Sequence, residues 1–372
     1  MEFNIQRNVF LSGIQKTLGI VERKTTMPIL NNILIRTDKG KIKIVATDRE
    51  ISLLARYDAQ VIKEGDITLS ARKIYEMVRE MEGETVHFLK NDNNMVTMTC
   101  QKVLYKIPGI AAEDYPRVAD DEEAKVFNIP GAILRELIHK TSFAVSTDEM
   151  RRNLTGVFLE TPRDGDNRLV QMVATDGHRL AIARSFAGEK EYLELEKGVI
   201  IPRKGLGEIR KIIEDETGMI TMGVHKGACI VRAGNVMLKV SLIDAEFPEF
   251  RKIIPAERDI FAVIDRNAML HALRRMNVIA SEGYSGVIVS LSEGKMVLSS
   301  TNPDVGEANE EIDISYTERD ISMGYNVNYL LSAIEVIDEE KIVFEFSGGM
   351  KPGVVKPANN DSYMCIIMPL KI

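Results

Sequence analysis

One strand motif occurs three times at a near-constant interval. KIKIVATD ends at Thr47-Asp48, RLVQMVATD ends at Thr175-Asp176, and KMVLSSTN ends at Thr301-Asn302. The three threonines stand 128 and 126 residues apart, and three such periods fill the 372-residue chain. A period of this length marks copies of a whole domain rather than the short units of a solenoid.

Other features keep the same interval. An apolar strand precedes each motif and is joined to it by a turn signal. NILIRT turns at Asp38-Lys39-Gly40, GVFLET around Asp164-Gly165-Asp166, and GVIVSLS at Glu293-Gly294. Alternating strands joined by glycine-containing turns predict antiparallel hairpins. Each copy also divides in half, because a short apolar strand runs straight into a helical pattern six times. FNIQRN leads into 9–21, ITLSAR into 73–81, FNIPGA into 133–142, VIIPRK into 205–214, FAVIDRN into 268–279 and MGYNVN into 329–337. Apolar residues in these helices recur at three and four, as in Leu134, Leu137 and Ile138. The last half closes with KIVFEF, a Gly-rich turn at Ser347-Gly348-Gly349 and SYMCIIMPL.

The predicted fold class is therefore α+β. Three topologically similar domains, 1–126, 127–253 and 254–372, each contain two strand–helix–antiparallel-strand units. A helix with one apolar stripe must bury it on a sheet, which puts helices on one side and sheets on the other. Equivalent units joined head to tail curve, and they form a ring if the rotation closes. A helix is ~10 Å across, so six side by side leave a hole near 10 Å, and twelve leave one of roughly 28 Å. A DNA duplex is about 20 Å wide. A ring lined by these helices and holding duplex DNA needs two chains.

The net charge is −7, from 48 Lys+Arg against 55 Asp+Glu. That sum alone speaks against nucleic acid, but the cations are unevenly placed. The first helix and its exit carry Lys16, Arg23 and Lys24, and Arg72-Lys73 and Arg203-Lys204 stand at matching helix starts. Arg151-Arg152 follow the third helix, and Arg274-Arg275 lie in the fifth. Acids gather elsewhere, as at 113–114, 120–123, 310–313 and 338–340. Recurrence at equivalent positions points to a cationic helix face that contacts DNA without reading its bases, since no zinc finger, RNP-like motif or basic zipper is present.

No apolar run approaches the ~18 residues of a membrane span. MEFNIQRNVF has charges where a signal peptide needs an apolar region, so a cytoplasmic location without membrane contact is expected. Cys100, Cys229 and Cys365 are far apart and form no CxxC, which argues against disulfides and structural zinc. No Walker A, HExxH, GxSxG or GxGxxG occurs, so no catalytic residue, metal or cofactor is expected.

The motifs MPILNNILI (27–35), SARK (70–73), VATDGHRLA (173–181), IPRKG (201–205), FPEFRKIIP (247–255) and YMCIIMPLKI at the C-terminal end are spread over the whole chain. In these the sequence resembles the beta subunits of bacterial DNA polymerase III, the beta sliding clamps. The resemblance implies three clamp domains per chain and a head-to-tail homodimeric ring, with helices lining the hole and sheets outside. It implies a non-catalytic processivity factor that encircles double-stranded DNA and tethers partners. These are the DNA polymerase III alpha subunit, the clamp loader and other proteins with clamp-binding motifs.

It also implies a partner-peptide pocket of Leu154, Thr175, Gly177, His178, Arg179, Leu180, Pro248, Lys252, Ile253, Ile366, Met368, Pro369 and Leu370. This mixture of apolar and polar groups suits capture of a short motif with hydrophobic anchors. For DNA it points to Lys24, Arg72, Arg203 and Lys204, beside the cations Lys73, Arg151 and Arg152 found by charge placement. Well-known members carry a tyrosine pair where this chain has Arg152-Asn153; a phosphate contact by Arg152 is the expectation there, and whether it replaces a stacking contact is left open. For the dimer it implies Tyr105 and Ile107 meeting Val278 and Ile279.

The repeat separates scaffold from function without other sequences. Thr-Asp recurs at 47–48 and 175–176, with Thr-Asn at 301–302, so these residues serve the strand end. The residues that follow differ, and only the second copy reads Gly177-His178-Arg179-Leu180. Two other readings stand beside the clamp: a nucleic-acid enzyme using Asp176 and His178, and a multidomain scaffold without a DNA role.

Overall fold

All six predicted strand-to-helix passages are present in the computed structural model. It describes the chain apart from residues 22–26, 120–123, 125, 166, 187–194, 196, 215–217, 257–259, 281–284, 347–350 and 372. The predicted turn at 347–349, Asp166 of the second hairpin turn and the acidic run 120–123 lie outside the described residues.

The first repeat runs β1 (Glu2–Gln6), α1 (Arg7–Gln15), β2 (Asn32–Asp38), β3 (Lys41–Thr47) and β4 (Ile51–Asp58). It continues with β5 (Gln60–Lys63), β6 (Asp66–Ser70), α2 (Ala71–Glu80), β7 (Thr85–Lys90), β8 (Met95–Cys100) and β9 (Val103–Pro108). The second runs β10 (Val126–Pro130), α3 (Gly131–Ser142), β11 (Gly156–Glu160), β12 (Arg163–Asp164), β13 (Asn167–Thr175) and β14 (Arg179–Phe186). Then come β15 (Val199–Pro202), α4 (Arg203–Ile212), β16 (Met219–His225), β17 (Ala228–Ala233) and β18 (Val236–Ser241). The third runs β19 (Ile260–Asp265), α5 (Arg266–Ile279), β20 (Gly286–Ser292), β21 (Lys295–Asn302) and β22 (Gly306–Asp313). It ends with β23 (Ile321–Asn326), α6 (Val327–Glu335), β24 (Lys341–Phe346), β25 (Gly353–Pro357) and β26 (Tyr363–Ile367).

The first helix is shorter than its periodicity predicts. It stops at Gln15, and the chain then turns, with Thr17 N–H donating to the Ile14 carbonyl at 2.9 Å. The Thr17 hydroxyl donates to the same carbonyl at 2.6 Å, the local competition that ends helices at such residues.

Each half of a repeat lends its leading strand to the other half. β1 pairs β7 while β6 pairs β2; β10 pairs β16 while β15 pairs β11; β19 pairs β24 while β23 pairs β20. All six pairs are antiparallel, so the halves of each repeat are interlocked rather than stacked. Residues that head paired helices tie the halves further. The Arg7 guanidinium donates to the Val78 and Arg79 carbonyls at the end of α2 (3.1 and 2.8 Å), and Arg266 does the same for Ile334 and Glu335 at the end of α6. These contacts satisfy carbonyls that a helix end leaves without partners.

The sheets run across the repeat boundaries. The order β10-β16-β17-β18-β4-β3-β2-β6 joins second-repeat strands to first-repeat strands through β18 and β4, with Leu238 opposite Leu53. The order β15-β11-β13-β14-β26-β25-β24-β19 makes the same junction through β14 and β26, with Leu180 opposite Ile366; β12 pairs β13 beside it. Two smaller sheets are β5-β1-β7-β8-β9 and β22-β21-β20-β23. The chain accordingly forms two compact units, one of Met1–Ala132 with Lys204–Leu242, the other drawn from 133–203 and 243–372. The second repeat is divided between them.

Within the first unit, Gly13 of α1 lies so close over Tyr57 and Ile44 that no Cβ would fit. Strand alternation puts Leu34, Val45 and Leu54 on the sheet's other face, where Tyr115 and Met237 complete a buried cluster. Its counterpart in the second unit gathers Val173, Leu180, Ile182, Ile200, Phe247, Phe250, Val354 and Ile366. Among the described residues no helix is long and apolar enough to cross a membrane.

Candidate partner-binding pocket and DNA-contact residues

The Thr-Asp motif builds the turn between β13 and β14. The Thr175 hydroxyl accepts the Gly177 N–H (3.0 Å) and donates to the Arg179 carbonyl (2.7 Å). Asp176 Oδ1 accepts the N–H groups of His178 (2.9 Å) and Arg179 (3.0 Å). The first copy repeats the pattern: Thr47 accepts from Arg49, and Asp48 accepts from Glu50 and Ile51. Asn302 accepts the Asp304 N–H in the third. These shared bonds make the motif a strand-end device, as the repeat argument expects. They also employ Asp176 in scaffolding, which removes the motivation for an enzyme built on Asp176 and His178.

The second copy has its own chemistry past the threonine. Gly177 has φ +91°, a left-handed conformation that favours glycine, although Arg49 adopts φ +80° at the matching position of the first copy. His178 is exposed, and its ring stacks at 6.2 Å from Tyr329. Its carbonyl accepts the Met368 N–H at 2.9 Å, and the Leu370 N–H reaches Gly324 at 2.8 Å. The chain after β26 is thus pinned beside the turn, with Met368 and Pro369 half-buried and Leu370 40% exposed.

Leu180 and Ile366 sit buried and opposite one another, and Ile253 packs on the same cluster. Leu154 is buried, Pro248 is half-buried, and Lys252 lies at the exposed edge beside Glu249. Leu180, Ile253 and Ile366 therefore share one apolar cluster, the candidate floor. Gly177, His178, Met368, Pro369 and Leu370 are exposed or half-buried, the candidate rim, whereas Thr175 is buried. The floor includes Phe247 and Phe250, which stack on or face Phe158, and Val354. Those residues were not singled out in the sequence, although the aromatic pair flanking Pro248 was a signal.

Arg179 has a role its position in the motif did not suggest. Its side chain is only 14% exposed. It bonds Asp176 (3.0 Å), the Phe143 carbonyl (2.7 Å) and the Ser332 hydroxyl, and lies between the Phe143 and Tyr329 rings at 5.1 and 4.6 Å. It holds the turn against α3 and α6 rather than pointing into the pocket. Burial, then the Asp176 carboxylate, raises the Tyr329 hydroxyl pKa.

The DNA residues are distributed as follows. Arg72 and Lys73 are exposed on α2, opposite its buried stripe of Ala71, Ile74 and Val78, and Lys73 pairs with Glu76 at 2.9 Å. Lys204 donates to Asp48 Oδ2 at 2.5 Å, where the carboxylate side chain is 1% exposed and the lysine 45%. Arg151, Arg152 and Arg203 are exposed in the second unit. Arg203 N–H bonds the Thr155 carbonyl (3.1 Å), which brings it next to the short turn carrying Arg152. Arg151 pairs with Asp148 at 3.0 Å, and Asn153 donates to the Glu246 carbonyl. Lys24 lies outside the described residues.

The dimer residues divide between core and surface. Val278, near the end of α5, is 75% exposed, and Ile279 is half-buried. Tyr105 is half-buried, and Ile107 is buried at 6% because alternation along β9 turns both inward. Leu104, on the opposite side of that strand, is 54% exposed and was not anticipated.

Comparison with known proteins covers the whole chain. The DNA polymerase III beta subunit N-terminal domain matches residues 1–119, the central domain 128–249 and the C-terminal domain 251–371. The beta sliding clamp of Pseudomonas aeruginosa is 30% identical over 375 residues, spanning 100% of both chains; that of Staphylococcus aureus is 29% identical over 381 residues, spanning 100% of this chain and 99% of its own. The crystal structure of the DNA polymerase III subunit beta from Pseudomonas aeruginosa superposes with TM-score 0.94 at 28% identity over 100% of both chains. A Bartonella birtlesii sliding clamp bound to griselimycin does so with TM-score 0.92 at 26% identity, again over 100% of both chains. The chain belongs to the beta sliding clamps, the non-catalytic processivity subunits of bacterial DNA polymerase III.

Proposed function

We propose that two of these chains close head to tail around duplex DNA, each contributing the segments 1–126, 127–253 and 254–372. The observation that carries this reading is an incomplete third junction. Inside the chain, β4 meets β18 and β14 meets β26. In the repeat, β22 is the third copy of β4 and β14, and β9 is the first copy of β18 and β26. Each is the edge of its sheet within one chain. Pairing β9 with β22 of a second chain repeats the junction and uses two different patches, as a closed heterologous interface requires. Lys102 and Lys106 flank one edge, and Glu307, Glu311 and Asp313 the other, so the charges are complementary. Leu104 and Val278 join Tyr105, Ile107 and Ile279 at this contact.

Lys24, Arg72, Lys73, Arg151, Arg152, Arg203 and Lys204 then meet the phosphates. Contacts of this kind, without base readout, allow sliding. The pocket around Leu180 and Ile366 takes a short peptide with hydrophobic anchors from the polymerase alpha subunit, the clamp loader and other clamp-binding proteins. Tethering raises the polymerase's effective concentration at the primer end.

The test is retention on nicked circular DNA in high salt. Release is expected only after the circle is linearised; equal loss from both forms means that the chain binds DNA without enclosing it. Arg72→Ala with Arg203→Ala should shallow the salt dependence of loading by about one to two phosphate contacts.

A further inference from the structure

We propose that the first unit carries a second peptide site, a cationic groove that takes an acidic segment with one aromatic anchor. The position four residues before each motif threonine lies in a cross-strand row that can be compared between copies. In the second repeat the row is Glu160–Gln171–Arg184, and Gln171 donates to Glu160 at 2.6 Å. In the third it is Ser290–Val297–Glu311. In the first it is Arg36–Lys43–Arg56, three cations directly opposite one another on β2, β3 and β4.

Directly opposed like charges destabilise a sheet, and neighbouring strands are only ~4.8 Å apart. The fold does not need this row, since the other two copies lack it. Asp66 answers Arg36 at one end (2.9 Å), and in the next row Lys41 and Asp58 pair with each other at 3.3 Å.

Arg36 and Lys43 of the row line a groove of about 570 Å³ on the sheet face turned away from α1, and Arg56 is the next residue of the row. Leu34 and Val45 form its floor, Tyr115, Pro116 and Val118 its wall, and Arg117 adds a third cation to the lining. The site is the first-copy relative of the pocket already described, because Tyr115-Pro116 stands where the second copy has Phe247-Pro248. The apolar floor and wall suit a side-chain anchor. Asp66 and Glu113 also line the groove and oppose a continuous phosphate backbone, whereas a short peptide charged only around its anchor avoids them.

The probe is a fluorescein-labelled GDEFEDG peptide, with GNQFQNG as the neutral control, titrated against the full chain at low salt by anisotropy. Arg36→Gln, Lys43→Gln and Arg56→Gln together should weaken binding about tenfold or more, while Leu180→Ser leaves it within about twofold. Arg36→Lys with Arg56→Lys keeps the charge and should keep the binding, which separates charge loss from misfolding. The proposal fails if the Gln triple variant binds like the parent, if the neutral peptide binds equally well, or if Leu180→Ser abolishes binding. Displacement by a short oligothymidylate at matched charge would overturn the choice of a peptide in favour of any polyanion.

Discussion

The two Thr-Asp turns of the first and second repeats share one set of backbone bonds and present opposite surfaces. Behind the second turn, Leu180 faces Ile366 across the strand junction; behind the first, Ser52 faces Lys239 at the same register. Glu50 accepts the Ser241 N–H at 2.8 Å where His178 accepts that of Met368. The scaffold was kept and the side chains at this register changed, apolar behind the second turn and polar behind the first.

The strongest way to break this contrast is to give the second copy the residues of the first. Leu180→Ser with Ile366→Lys should abolish binding of a clamp-motif peptide in calorimetry and cost about 3–5 kcal/mol in chemical denaturation, because it places an unpaired charge in a packed cluster. Retained peptide binding would put the pocket elsewhere. The reciprocal pair, Ser52→Leu with Lys239→Ile, should not give the first copy binding of a clamp-motif peptide, because the exposed residues around its turn remain Arg49, Glu50 and Ser241.

Deleting residues 368–372 removes the bonds from Met368 to His178 and from Leu370 to Gly324. Primer extension should lose its stimulation while sedimentation still reports a dimer; dissociation would assign the segment to assembly. Arg179→Lys keeps the charge but cannot reach Asp176, Phe143 and Ser332 together. Thermal melting should show a loss of about 2 kcal/mol, and peptide affinity should fall about tenfold as the turn loosens. No change in either would mean that the turn is held by Asp176 alone.

The smallest effect is alkaline. Burial pushes the Tyr57 hydroxyl up to about 12 from 10.0, and the Cys229 and Cys365 thiols up to about 12 from 9.0. The unfolded chain therefore loses these protons first. Stability is independent of these groups below pH 9, falls as pH rises, and has lost their contribution once pH passes 12. Denaturant midpoints measured across that window check the sign; a rise would contradict it.

Much of this architecture is legible in residue order. Hairpins, strand-to-helix passages and the threefold interval follow from periodicity and turn residues, which act over a few positions. Strand partners do not, because alternation reveals that a strand exists but not which edge it joins. The exchange of β1 and β6 between halves, and the division of the second repeat, therefore became visible only in space. The same limit applies at the site. Arg179 belongs to a motif in sequence, but its partners are Phe143, just past the end of α3, and Tyr329 and Ser332 of α6. Alternation along β9 likewise became visible only in space, with Ile107 buried within one chain and Leu104 exposed.

The junction between β14 and β26 has a consequence for biosynthesis. During translation β4 waits for β18 near residue 236, but β14 gains its second neighbour only when residues 363–367 have left the ribosome. Contacts so distant along the chain close late and slowly. The nascent protein should thus emerge with its middle third half-finished, and a trigger that stalls synthesis before residue 363 should leave β14 open to proteolysis while the β4 side is already protected.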